Sequence, residues 1–88
     1  MALTLHQLRL FVALAKRLNM TEISRELHVS QPAISHQIKN LEREFGKTFF
    51  QSQGRGVKLT PAGARFLRKA ETILSSVNEM YRRYGAKR

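Results

Sequence analysis

Eighty-eight residues, 42% of them hydrophobic, suffice for one small domain with a modest core. The absence of cysteine excludes a disulfide frame and a cysteine-ligated metal, and the absence of aspartate excludes a Ser-His-Asp set. Sixteen Lys and Arg against six acids, all Glu, give a formal charge of +10, which points to a polyanion: nucleic acid first, an anionic membrane surface second.

In chain order, residues 4–18 read as a first helix. Thr4 is a plausible cap, and Leu5, Leu8, Phe11, Val12, Ala15 and Leu18 form a broad apolar stripe that leaves out Arg9, Lys16 and Arg17. Asn19 caps a shorter second helix, with Glu22 placed to reach back as in a capping box and Met20, Ile23 and Leu27 turned inward. Asn19-Met20-Thr21 also fits an N-glycosylation pattern, but the N-terminus lacks the order of a signal peptide, so Asn19 is read as a cap and the protein as cytoplasmic. Residues 28–30 make a tight turn in which His28 bonds to backbone.

The third helix follows. Ser30 is a good N-cap, and because Pro32 has no N–H, Ala33 is the natural donor to it. Ile34, Ile38, Leu41 and Phe45 make an apolar back. Gln31, Ser35, His36, Lys39 and Arg43 make a polar, basic front, free of acid until Glu42 at its margin. Such a helix suits a DNA major groove; the alternative is a surface helix with a solvated face. Two helices joined by so short a turn predict a helix-turn-helix with the third helix as the reader. Gln31 suits adenine N6/N7, Ser35 a base or phosphate, Pro32 and Ala33 a thymine methyl. His36 suits a phosphate or guanine.

Gly46 ends this helix. Phe49-Phe50 and Val57-Lys58-Leu59 then flank a Gly-containing turn, a hairpin in the position of a wing, with Gly54-Arg55-Gly56 as its tip. Arg55 is either an arginine poised for a narrow A·T minor groove or an ordinary solvated turn residue. Thr60-Pro61 opens a last helix of about six turns at ~3.6 residues each. Phe66, Ala70, Ile73, Val77, Met80 and Tyr84 recur at steps of four and three, widened by Leu67, Leu74 and Tyr81. That heptad seam predicts pairing with a second copy; the alternative is packing back on the first helix. The expected organisation is a winged helix-turn-helix over 1–60 and a linker helix forming a dimer seam over 61–88, ending in the basic residues Arg82-Arg83 and Lys87-Arg88.

No catalytic set or metal site is expected. His6, His28 and His36 are scattered. Glu42 and Glu44 diverge on one helix, and with Glu22 and Glu26 they read as solvated charges. No apolar run approaches the ~20 residues of a membrane span. Enzymes and cofactors are therefore set aside. A coiled-coil interaction module leaves the capped, basic third helix unexplained. A membrane-surface domain needs a denser basic border on its amphipathic helix.

The run Leu27-His28-Val29-Ser30-Gln31-Pro32-Ala33, followed by Ser35, Gln37-Ile38 and Leu41-Glu42, and the later Val57-Lys58-Leu59-Thr60-Pro61-Ala62-Gly63, resemble the N-terminal DNA-binding region of LysR-type transcriptional regulators. The resemblance covers nearly the whole chain. It implies a mostly α winged helix-turn-helix, with a two-stranded wing, in a bacterial regulator of double-stranded DNA. It implies a homodimer formed through the long C-terminal helix and a small-molecule effector bound only by a domain absent from this chain. Residues matching Gln31, Pro32, Ala33, Ser35 and His36 face the major groove in that family, and the wing approaches the minor groove or the phosphates. Three departures from the pattern stand out: His36 replaces the usual Arg or Lys, Gln51-Ser52 the usual Glu-Arg, and Glu22-Ile23 an alanine pair.

Overall fold

Each helix begins on a side chain that takes up a free N–H of its first turn. The computed structural model describes residues 2–86, so the basic pair Lys87-Arg88 lies outside the described residues. Its elements are α1 (Leu5–Arg17), α2 (Met20–Leu27), α3 (Gln31–Phe45), β1 (Phe50–Gln53), β2 (Gly56–Leu59) and α4 (Pro61–Tyr84). Thr4 accepts the Gln7 N–H, while the Gln7 side chain accepts the Thr4 N–H in return, a full capping box. Asn19 accepts from Glu22, Ser30 from Ala33 across Pro32, and Thr60 from Gly63. Caps of this kind contribute about 1 kcal/mol each.

The expected box on α2 is only half made. The Glu22 carboxylate turns instead to Arg17, at 2.5 Å, and the same guanidinium holds Glu26 at 2.7 Å. Two acids read as solvated charges therefore staple the α1–α2 corner, because α1 ends with Arg17 beside both. The bond to Glu22 and the charge of Glu26 raise the guanidinium above its already high pKa.

The turn between α2 and α3 is held by Ser24. Its carbonyl accepts the N–H groups of His28 and Val29, and its hydroxyl donates to the Val29 carbonyl at 2.6 Å. His28 bonds there through its backbone N–H, in the left-handed conformation with φ 56°.

The core joins Leu8, Leu10, Phe11 and Leu14 of α1 to Ile23, to Ile34, Ile38 and Leu41 of α3, to Phe49, and to Ala70 and Leu74 of α4. α1 lies at the centre, touching α2, α3 and α4. Its buried arc is therefore wider than one stripe: Leu10 and Leu14 are buried although the expected stripe left them out, and Leu5 is exposed although it was included. Leu27 is also exposed, since the eight-residue α2 reaches the core through Ile23 and ends before Leu27 can turn in. All five phenylalanines form one cluster. Phe66 stacks on Phe49 at 4.4 Å between ring centroids and meets Phe11 edge-on at 4.9 Å. Phe45 rests against Phe66 with its outer side exposed.

The wing is a regular antiparallel pair in the register Phe50↔Leu59, Gln51↔Lys58, Ser52↔Val57 and Gln53↔Gly56. Gln51, Ser52 and Gln53, read as part of the turn, thus belong to the strand, and Gly56 is paired rather than at the tip. The tip is the two-residue turn Gly54-Arg55. Only Gly54 has positive φ, 59°, as the first central position of a type II′ turn requires.

α4 divides the expected seam in two. Ala70 and Leu74 are buried in the chain's own core, Phe66 belongs to the aromatic cluster, and Lys16 on α1 meets Glu71 at 2.7 Å. These three apolar positions are consumed by back-packing on the winged body, because the inner half of the helix lies over α1. Val77 is half-buried, whereas Ile73, Met80, Tyr81 and Tyr84 are 42%, 61%, 72% and 79% exposed. At ~1.5 Å per residue a 24-residue helix is roughly 36 Å long, which sets the 45 Å long axis of the molecule.

Candidate nucleic-acid interface

The front of α3 stands clear of the core that its back is buried in. Ser30, Gln31, Pro32, Ala33, His36 and Lys39 are exposed and Ser35 is half-buried. Gln31 is not free to wander: its amide nitrogen donates to the Thr21 hydroxyl at 3.2 Å. That bond uses one of the two amide hydrogens and leaves the other, with the carbonyl oxygen, able to face a base edge. Gln37 is tied inward, accepting from the Gln7 side-chain amide of α1 at 3.3 Å.

Three shallow concavities share residues and so form one surface. The first is lined by Met20, Ser24, Gln31, Pro32 and Ser35. The second, about 650 Å³, runs from the start of α2 past Gln31 to Ser52, Gly54 and Arg55. The third joins Ser35 and Lys39 of α3 to Gln51 and Ser52 of the wing. Arg55, expected at the wing tip, is there and exposed, on the same surface as Gln31. Gln31, Pro32, Ala33, Ser35 and His36, expected to meet DNA, thus lie on α3 with Lys39, Ser30 caps that helix, and Arg55 is at the wing tip.

Two contributors escaped the reading of the sequence. Thr21 holds Gln31 from the neighbouring helix. Glu42, read as solvated, keeps a side chain only 12% exposed: one oxygen accepts the N–H groups of Phe49 and Phe50, at 2.7 and 3.2 Å, and the other stands 3.8 Å from the Lys39 ammonium. A signal for Glu42 was present, since an acid at the edge of an otherwise basic face needs a partner. For Thr21 there was none, because the pair is made by the angle between two helices.

Among the described residues no three His, Cys, Asp or Glu side chains gather to hold a metal. No described helix is long and apolar enough to cross a membrane.

A family model described as "Bacterial regulatory helix-turn-helix protein, lysR family" matches residues 5–64. The HTH-type transcriptional regulator TfdS of Cupriavidus pinatubonensis is 48% identical over 68 residues, which cover 77% of this chain and 23% of TfdS. The chain therefore spans under a quarter of that relative's length. The crystal structure of BenM_DBD with benA site 1 DNA matches at TM-score 0.83 and 38% identity, over 89% of this chain and 91% of that one. The CbnR_DBD–DNA complex matches at TM-score 0.85 and 37% identity, over 92% and 93%.

Proposed function

Because the chain belongs to the LysR family of bacterial helix-turn-helix regulators, as its DNA-binding domain, we propose that it reads double-stranded DNA through the front of α3 and the tip of the wing. The observation that carries this is the single continuous surface joining the exposed front of α3 to Arg55, in a chain of net charge +10. Gln31, held by Thr21, pairs with adenine; Ser35 and His36 meet a base edge or a phosphate; Pro32 and Ala33 touch a thymine methyl. Ser30 and Lys39 lie where phosphates pass, and Arg55 enters an A·T-rich minor groove.

The working unit is a homodimer. The seam over 61–88 narrows to the uncovered edge of α4, namely Ile73, Val77, Met80, Tyr81 and Tyr84, with Phe66, Ala70 and Leu74 supporting it from inside the chain. Two copies then read half-sites a helical turn or a multiple of it apart. Any small-molecule effector acts through a domain outside this sequence, and the protein works in the cytoplasm beside its DNA. It needs no cofactor and catalyses no reaction.

Selection from a pool of random duplexes tests the reading. The expected result is a partly palindromic site with A·T-rich flanks, bound with a steep loss of affinity as salt rises. Recovery of unselected sequence, with random duplexes bound equally well, would overturn it.

A further inference from the structure

Among the described residues, Glu42 is the one acid lining these concavities along α3 and the wing, beside Lys39, Arg43 and Lys47. A carboxylate so enclosed is costly unless it is partnered, and here one oxygen takes the two strand N–H groups while the other faces the Lys39 ammonium at 3.8 Å. The strand entry that it grips is held from the other edge as well. The Phe49 carbonyl accepts the Thr60 N–H at 2.9 Å, and the Thr48 carbonyl accepts the Thr60 hydroxyl at 2.6 Å. A two-stranded hairpin is marginal by itself, so its direction is set by such anchors. Gln53 lies three residues beyond Phe50, roughly 10 Å at ~3.3 Å per residue, so a small tilt at the base sweeps the tip widely.

We infer that Glu42 is a positioning residue that aims the wing from the reading helix, so that the minor-groove contact of Arg55 depends on its two bonds to the strand entry. Through Glu42 the groove-reading helix and the wing hold a fixed spacing, and base and flank are read in one register. This rests on the DNA-reading function proposed above.

The test compares wild type, Glu42→Ala, Glu42→Gln, Arg55→Ala and the double variant with both alanines. The probes are the duplex recovered by selection, with A·T or with G·C flanks, and a random duplex. Glu42→Ala is expected to lose the preference for A·T flanks, roughly tenfold, while keeping its preference for the central bases. Arg55→Ala is expected to add almost nothing once Glu42 is alanine. Amide exchange at Phe49 and Phe50 should quicken, with exchange along Ile34–Leu41 unchanged. Affinity lowered by one common factor on all three duplexes would overturn the inference. So would an Arg55→Ala effect of equal size in both backgrounds. If Glu42→Ala does not fold, Glu42→Gln decides: its amide oxygen can still accept both N–H groups, so the A·T preference should persist with slow exchange at Phe49 and Phe50, and a preference lost while that exchange stays slow would overturn the inference. A wild-type protein indifferent to all three duplexes would overturn the proposed function instead, and the exchange rates would still decide whether Glu42 pins the wing.

Discussion

Gly63 sits where the first turn of α4 passes the Phe49 carbonyl. A Cβ there would come closer than 3.0 Å to that oxygen and to Leu59, nearer than real Cβ atoms stand. These neighbours make the glycine a condition for docking α4. Gly63→Ala is expected to lower stability by ~1–3 kcal/mol, read as a lower midpoint in urea, despite alanine's better helix propensity. Gln31 is the matching case at the interface. Gln31→Ala should weaken binding to the selected site by ~1–3 kcal/mol and leave random DNA little affected; equal loss on both would show that Gln31 reads no base. Thr21→Val should produce a smaller loss with the same selectivity, since it removes only the acceptor that orients the amide.

Among the elements, the wing carries the clearest prediction. Its turn places Arg55 beside Gly54, beyond the last pair Gln53↔Gly56, and leaves it exposed at the tip. Arg55→Ala is expected to cost most on A·T-flanked duplexes. It should also make the slope of log affinity against log salt shallower by about one unit for each phosphate that Arg55 neutralises. A salt slope and flank preference both equal to wild type would reduce Arg55 to a solvated turn residue. The strands were half-legible in the sequence. Phe49-Phe50 and Val57-Lys58-Leu59 announced them, but polar Gln51-Ser52-Gln53 carries no strand pattern. Cross-strand pairing extends the ladder there, with the two-residue turn fixing the register.

For the whole molecule, the division of α4 decides what a substitution does. Leu74 is in the core, so Leu74→Asp should unfold the domain, and Leu74→Ala should cost ~2–5 kcal/mol at any protein concentration. Ile73 and Met80 lie on the uncovered edge. Ile73→Asp with Met80→Asp should leave the helices and the melting of the winged body intact while abolishing the dimer. Sedimentation checks this directly: wild type as a dimer, the double variant as a folded monomer that keeps half-site affinity and loses most of its affinity for the full site. A wild-type monomer at tens of micromolar would place dimerisation outside this helix.

The sequence determined by itself what depends on neighbours along the chain. Thr4, Asn19, Ser30 and Thr60 cap helices because each cap is closed within three residues, and Ile34, Ile38 and Leu41 mark the back of α3 because helical periodicity alone puts them on one side. The polar front of α3 and the exposed Arg55 followed in the same way. Tertiary structure decided what depends on which surface meets which. Only packing turned Glu42 from a surface charge into the clasp of the wing, and paired Glu22 and Glu26 with Arg17. It also gave Phe66, Ala70 and Leu74 to the core while leaving Ile73, Met80 and Tyr84 open. A heptad pattern marks an apolar arc of a helix, but it carries no label for the partner that covers each part of that arc, and here α1 covers one side of it and leaves the other exposed.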